Sequence, residues 1–235
     1  MTSHARGSGV ARTSHPEPGG GLRIAAAFDV LLAAYGPQHW WPARTAFEVV
    51  VGAVLTQNTA WTNVERAIRN LRGARALSLR GLRALPAERL EELIRPAGYF
   101  RQKARALRAV ADFVQASGGL ARLARRPIVE ARRDLLAVRG VGPETADSIL
   151  LYALGRPVFV VDAYTRRIFE RLGVLWGGEP YEEVRALFEA AMSQDAAALN
   201  ELHALLVEHA KRHCRKTPVC EGCGVRRGCG YASPV

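Results

Sequence analysis

The 235-residue chain lacks several features on which common protein classes depend. Its four cysteines all lie between Cys214 and Cys229, which is no layout for a disulfide framework, so we expect a reducing, cytoplasmic setting. No apolar run approaches the length that spans a bilayer, which excludes an integral membrane protein. The first residues contain no apolar signal core, and we therefore do not expect secretion.

Lysine is also scarce, although the chain is strongly basic. Lys and Arg total 33 against 22 Asp and Glu, which gives a formal net charge of +11. A surplus of this size indicates a polyanionic partner, and nucleic acid is the first candidate. Only Lys103, Lys211 and Lys216 are lysines, so a mechanism that needs an amine has three candidates.

Apolar residues recur with helical spacing along most of the chain, and they make up a hydrophobic content of 49%. Residues 1–21 are the exception, and we expect a disordered basic tail there. Thr62 and Glu65 have the spacing of a capping box at the start of a helix. The one extended-looking run, residues 157–161, is short and has no evident strand partner. The sequence therefore predicts an all-α fold.

A tight hairpin between two predicted helices is encoded by Gly140, Val141 and Gly142, followed by Pro143. Glycines keep backbone amides clear of side chains, and amides at a helix N-terminus favour a phosphate. Gly140, Val141, Gly142 and Thr145 are thus candidate DNA contacts that would bind the backbone without reading its sequence. An ordinary helical hairpin packed in a core is the alternative.

Twenty residues after Gly142, the apolar run 158–161 ends in Asp162. By itself Asp162 is a suitable N-cap for a helix that begins at Ala163. Together with the hairpin, this pattern resembles the helix-hairpin-helix (HhH-GPD) DNA glycosylases, endonuclease III among them, over roughly residues 22 to 231. The resemblance implies that Asp162 is the catalytic residue and faces the sugar of an extruded nucleotide.

The cysteines follow the pattern Cys214-x5-Cys220-x2-Cys223-x5-Cys229. These spacings resemble the [4Fe–4S] loop of the endonuclease III and adenine-mismatch branches, with one residue fewer between the first two cysteines. The resemblance implies an iron–sulfur cluster. Structural zinc is the alternative, although it usually takes two close cysteine pairs. Arg215 and Lys216 lie between the ligands and are candidate phosphate contacts.

Two positions relate the chain to particular branches of the family. Where endonuclease III has its hairpin lysine, this chain has Glu144, which cannot form a Schiff base with the sugar. The segments around Trp41 and Trp61 resemble the 3-methyladenine DNA glycosylase III branch, in which their counterparts line the base pocket. Glu144 and Lys211 are assigned to the same pocket. Core packing of the two tryptophans, and a solvated face for Lys211, are the alternatives.

Gln57 and Asn58 match the family position that fills the gap left by the extruded base; otherwise they are polar residues at a helix end. The resemblance implies two helical lobes: a six-helix bundle over 42–154 with the hairpin, and a second lobe of 22–41 plus 155–213. The cluster loop spans 214–229.

We expect a monomeric, nucleoid-associated enzyme that extrudes a damaged base from duplex DNA and hydrolyses its glycosidic bond. An alkylated purine is the expected base, and the enzyme is expected to be monofunctional. An endonuclease III-like enzyme acting on oxidised pyrimidines, with lyase activity, is one alternative. A non-catalytic DNA-binding protein is the other.

Overall fold

The computed structural model describes residues 20–232, with side chains from Arg23 onward; the predicted tail, apart from its last two residues, lies outside this range. Its regular structure is helical, and no strand occurs between residues 20 and 232. The α-helices are α1 Gly20–Tyr35, α2 Ala46–Leu55, α3 Trp61–Gly73, α4 Leu79–Ala84, α5 Ala87–Ile94, α6 Phe100–Ala116, α7 Leu120–Leu123, α8 Ile128–Leu136, α9 Pro143–Ser148, α10 Ala163–Arg171, α11 Tyr181–Ala191 and α12 Ala196–Arg212. The all-α prediction is confirmed. None of the helices in this range is both long and apolar enough to cross a membrane.

Side chains from these helices form two hydrophobic clusters. The first cluster gathers the buried faces of α2, α3, α5, α6 and the hairpin helices α8 and α9. The second gathers those of α1, α10, α11 and α12. Helix α2 is buried along nearly its whole length, as its almost wholly apolar sequence requires. The predicted division into two lobes, with the boundaries given above, stays a prediction. The two hydrophobic clusters are the feature of the structure that corresponds to it.

A π-helical turn, Ile149–Ala153, continues α9 toward the second cluster. The chain then runs through the extended segment 157–161, which pairs with helix side chains instead of a strand. The amide of Phe159 donates to Glu189 Oε1 at 3.0 Å, and that of Val161 donates to the Tyr181 hydroxyl at 3.3 Å. These two bonds fasten the segment to α11, and the segment ends at Asp162, the N-cap of α10.

Two helix starts differ from the sequence predictions. Helix α1 begins at Gly20, before the predicted end of the tail. The prediction of a capping box at Thr62 and Glu65 is wrong, because α3 already begins at Trp61. The N-cap of α3 is Ala60, which makes no side-chain hydrogen bond. Glu65 Oε1 instead accepts a hydrogen bond from the indole Nε1 of Trp61 at 3.0 Å. The carboxylate therefore holds an aromatic ring in place and does not cap a backbone amide.

Candidate DNA-binding and base-excision site

The hairpin between α8 and α9 presents its glycines to solvent and its valine to the core. Gly140 and Gly142 are exposed, whereas Val141 is 7% exposed and belongs to the first cluster. Gly140 has a φ of +88°, and a Cβ there would lie 2.8 Å from Cβ of Ala106 on α6. Gly142 has extended angles and precedes Pro143 at the first position of α9. Position 140 requires glycine for two separate reasons: its backbone is left-handed, and Ala106 leaves no room for a Cβ.

The side chains of two predicted DNA contacts are buried. The side chain of Thr145 is 2% exposed, and that of Val141 is nearly as buried. Neither side chain can reach a phosphate from these positions, because both pack into the protein. Only their backbone groups remain as candidate contacts, together with those of Gly140 and Gly142.

Asp162 caps α10 with one of its carboxylate oxygens. Its Oδ1 accepts hydrogen bonds from the amide and the hydroxyl of Thr165, at 2.7 Å and 2.9 Å. The N-cap reading of the sequence is confirmed. The second oxygen, Oδ2, takes no part in the cap and lies 3.7 Å from Nε2 of His203. The aspartate side chain is 15% exposed, so a largely desolvated carboxylate oxygen is left for other chemistry.

Glu144 lies close to this carboxylate. Its Oε1 accepts a hydrogen bond from Nε2 of Gln57 at 3.3 Å. Burial raises the pKa of Glu144, and the negative charge of Asp162 raises it further, while the bond from Gln57 lowers it. The two carboxyl groups, at the hairpin and at the start of α10, are thus near enough for their charges to interact. Gln57 contacts the hairpin through Glu144, whereas its neighbour Asn58 is exposed with a φ of +52°.

Four aromatic rings pack together, and one of them, Tyr152, bonds the histidine that faces Asp162. The ring centroid of Trp41 lies 5.3 Å from that of Trp61 and 5.1 Å from that of Tyr152. Trp40, which the sequence analysis did not select, lies 5.2 Å from Trp61. Gly52 on α2 makes room for this cluster, since a Cβ there would lie 2.9 Å from Cζ2 of Trp41.

The aromatic cluster has one buried polar atom without a partner: Nε1 of Trp41 makes no hydrogen bond within the described part of the chain. A buried N–H group of this kind is available to a ligand acceptor. The rings of Trp41 and Trp61 meet at 78°, edge to face. A base can stack between them only after the two rings separate.

The three lysines differ sharply in their surroundings. Lys103 is buried, and its Nζ donates to the carbonyl oxygens of Leu55 and Ala97 at 2.9 Å and 2.8 Å. It lines a groove of about 350 Å³ together with Gly140 and Asn58, which places Lys103 near the hairpin. Helix α6 packs against the hairpin, a long-range contact that the sequence does not encode locally.

Lys211 and Lys216 are both exposed. Lys211 places its Nζ 5.8 Å from the ring centroid of Trp40. Of the two, only Lys211 contacts the aromatic cluster. Lys216 lies in the cysteine loop, where its carbonyl oxygen accepts a hydrogen bond from Arg171.

The four cysteines line one small cavity at the end of α12, walled by apolar side chains such as Ile168, Leu172 and Val225. Burial raises the pKa of the Cys223 thiol, and the other three cysteines raise it further, which reflects their proximity. Arg171 donates to Sγ of Cys214 at 3.3 Å.

In the described range, no three Cys, His, Asp or Glu side chains lie close enough to share one metal ion. The thiols instead surround a common space, and a nearby arginine can offset negative charge. Four thiolates around one space are a donor set that suits an iron–sulfur cluster and also a single zinc ion.

Two predicted phosphate contacts lie on the same loop. The exposed side chain of Arg215 donates through Nε to the carbonyl of Lys211 at 2.8 Å. Arg167 on α10 donates to the carbonyl of Cys214. Arginines therefore brace the cysteine loop on several sides, and the outer ones remain accessible to a phosphate.

Comparison with known proteins defines the class. Residues 51–194 match the model of the HhH-GPD superfamily of base excision DNA repair proteins. A protein of Methanocaldococcus jannaschii, assigned the name DNA repair glycosylase MJ1434, is 47% identical over 205 residues, covering 86% of this chain and 93% of its own. The chain belongs to the HhH-GPD superfamily.

Solved structures agree with this assignment. The Helicobacter pylori 3-methyladenine DNA glycosylase MagIII, bound to 1,N6-ethenoadenine, is 28% identical, with a TM-score of 0.70 over 82% of this chain and 97% of that one. A trapped endonuclease III–DNA covalent intermediate is 23% identical with a TM-score of 0.75, over 89% and 95% of the two chains, and shows the shared fold. The protein is a DNA repair glycosylase of the endonuclease III superfamily.

Sequence reasoning missed His203, Tyr152 and Trp40. A single histidine in an apolar helix carries no spacing signal, and its relation to Asp162 depends on how α12 packs against α10. Trp40 adjoins Trp41 in the sequence, and the doubled tryptophan was the available clue.

Proposed function

We propose that this glycosylase releases alkylated purines from duplex DNA by hydrolysis and leaves the resulting abasic strand uncut. The observation that carries the proposal is the pair formed by Asp162 and Glu144. A carboxylate is available at the sugar position, whereas the hairpin position that would need an amine for strand cleavage holds a second acid.

The aromatic cluster supports the choice of base. An alkylated purine is cationic, and the faces of Trp41, Trp61 and Trp40 attract a cationic ring through stacking and cation–π interaction. The unpartnered indole N–H of Trp41 is a donor for a heteroatom on the base edge. The structural relative MagIII is described with a modified adenine, and we extend that substrate class to this chain.

In the proposed mechanism, Oδ2 of Asp162 faces the sugar as the glycosidic bond lengthens. Its negative charge stabilises the developing sugar cation, or it accepts a proton from the attacking water. The leaving base is already positively charged, so no strong general acid is required. A carboxylate held by Thr165 and largely out of water needs little reorganisation at this moment.

Duplex DNA would be held by its phosphates, through backbone amides at Gly140 and Gly142 and through exposed basic side chains, including Arg215 and Lys216. Asn58, beside the groove under the hairpin, would fill the space vacated by the extruded base, with Gln57 supporting the hairpin from behind. We expect the protein to act as a monomer, and its sedimentation at working concentration tests this expectation.

We further propose that Cys214, Cys220, Cys223 and Cys229 hold a [4Fe–4S] cluster, with zinc as the competing outcome. The common cavity and the arginine bond to Cys214 support a cluster that serves as the core of the loop. Anaerobically purified protein should absorb broadly at about 400 nm. Cys220→Ser should lose that absorbance, and stoichiometric zinc without iron would contradict the assignment.

The substrate proposal is tested by an excision panel under single-turnover conditions, with duplexes that contain 3-methyladenine, thymine glycol, uracil or an abasic site. We expect 3-methyladenine to be released and the other bases to remain. Asp162→Asn should abolish release with little loss of lesion binding, since the amide keeps the size but not the charge. Release of thymine glycol in place of 3-methyladenine would contradict the proposal.

The endonuclease III-like alternative is favoured by one observation, the approach of Lys211 to the ring of Trp40. Borohydride trapping on an abasic duplex separates the two functions. We expect no covalent adduct with the parent protein, whereas Glu144→Lys should form one by restoring an amine beside Asp162. A strong adduct with the parent that is lost in Lys211→Met would establish the lyase.

A further inference from the structure

His203 lies on α12 at the floor of the site and is 7% exposed. Its Nε2 is buried and makes no hydrogen bond within the described part of the chain, a rare state for a buried polar nitrogen. The atom faces Oδ2 of Asp162 at 3.7 Å. This is the one carboxylate oxygen of Asp162 that the cap leaves free, since Thr165 occupies the other.

The second ring nitrogen of His203 is bonded to the hydroxyl of Tyr152. Burial raises the pKa of Tyr152 and lowers that of His203, so the phenol keeps its proton and the imidazole is neutral. A neutral imidazole carries one proton, and a lone pair on Nε2 would repel the facing carboxylate. The proton therefore belongs on Nε2, while Nδ1 accepts from the tyrosine.

We propose that His203 is a positioning residue that directs its Nε2–H at Oδ2 of Asp162 and so fixes the orientation of the carboxylate toward the sugar. Tyr152 fixes the required tautomer. The inference deepens the proposed function and rests on the proposed role of Asp162.

The geometry gives His203 a task that complements the cap. Thr165 bonds only Oδ1, and a donor facing Oδ2 narrows the remaining rotation of the carboxylate about its bond to Cβ. A neutral donor restrains Oδ2 without neutralising its charge, which has to remain for the sugar cation. The ring of His203 is itself held by Phe159, whose centroid lies 6.0 Å away, and by Tyr152 at 5.8 Å.

Substitutions that separate the two ring nitrogens test the proposal. His203→Gln places an amide N–H near the position of Nε2, whereas His203→Asn places one near Nδ1. We expect His203→Gln to retain most of the single-turnover rate on 3-methyladenine DNA. In His203→Asn and His203→Phe the single-turnover rate should fall about 10²-fold, which is the effect expected when a reacting group is misplaced, while the affinity for lesion DNA stays unchanged. Equal rates for His203→Gln and His203→Asn, with both folded, would refute the positioning role.

A second measurement does not depend on activity. The ¹⁵N chemical shifts of His203 report its tautomer in the full-length protein, and we expect the Nε2–H form in the parent and a mixture in Tyr152→Phe. Finding the Nδ1–H form in the parent would overturn the proposal. If Asp162→Asn is active, the proposed function is refuted. If Asp162→Asn is inactive while His203→Gln and His203→Asn are equally active, only the positioning role of His203 is refuted.

Discussion

The two hairpin glycines form a matched pair in which the same substitution should affect different properties, folding at Gly140 and DNA binding at Gly142. Gly140 has a left-handed φ of +88° and lies against Ala106, whereas Gly142 has extended angles and no atom within 4 Å of a Cβ placed on it. Alanine at Gly140 should therefore damage folding. Alanine at Gly142 should leave folding intact and interfere only with what approaches the hairpin from outside.

The magnitudes follow from the two positions. For Gly140→Ala, a left-handed backbone costs about 1–2 kcal/mol, and a Cβ contact at 2.8 Å adds an overpacking cost of about 1–3 kcal/mol. In a domain of this size the sum lowers the melting temperature by roughly 4–20 °C. For Gly142→Ala, stability should stay within about 0.5 kcal/mol. Loss of one amide–phosphate bond there should weaken binding by about tenfold or more.

Thermal unfolding and titration of an undamaged duplex at several salt concentrations test both arms. If Gly140→Ala melts at the same temperature as the parent, the strain and the clash assigned to Gly140 are refuted. The role assigned to Gly142 is refuted if Gly142→Ala binds DNA like the parent at every salt concentration, because the hairpin would then not contact the phosphates.

Three further substitutions test the surroundings of the site. Glu144→Gln should raise the free energy of unfolding at pH 7, because the pKa of Glu144 is raised in the folded protein and its ionisation therefore costs stability. This gain in stability should vanish below the ordinary pKa of 4.5, and a difference that does not depend on pH would refute ionisation as its cause. Arg132→Met should destabilise by about 3–5 kcal/mol in urea unfolding, since it leaves the fully buried Asp147, now 2.7 Å from Arg132 Nε, without its partner; a change below 1 kcal/mol would be inconsistent with this pairing. Lys103→Met should lower the free energy of unfolding by about 2 kcal/mol or more, because two buried carbonyls lose their donor; unchanged stability in urea unfolding would be inconsistent with these two bonds.

Much of the fold could be predicted from the sequence because its signals are local. The helical spacing of apolar residues along most of the chain predicts the all-α fold, and the Gly140–Gly142 hairpin with Pro143 marks the start of α9. The capping box failed for a local reason as well. Glu65 had an indole N–H available four residues earlier, and the sequence pattern gives no weight to such a competing partner.

The candidate site could be predicted only where a motif carries it. Asp162 and Glu144 each belong to a segment whose spacing resembles a known family, and the structure brings the two carboxyl groups together. His203 lies forty-one positions after Asp162, and no local pattern relates the two. The position of Lys103 beside the hairpin could not be predicted either, because it depends on the packing of α6.

The position of Asp162 depends on both hydrophobic clusters at once. In the segment that leads to it, Val158 packs into the first cluster, while Phe159, Val160 and Val161 pack into the second. The segment makes no strand pairs, so these side chains and two hydrogen bonds to α11 are what fix it. In the proposed mechanism the carboxylate of Asp162 must lie close against the sugar carbon. A cavity opened in either cluster near this crossing should therefore slow excision more than it weakens DNA binding.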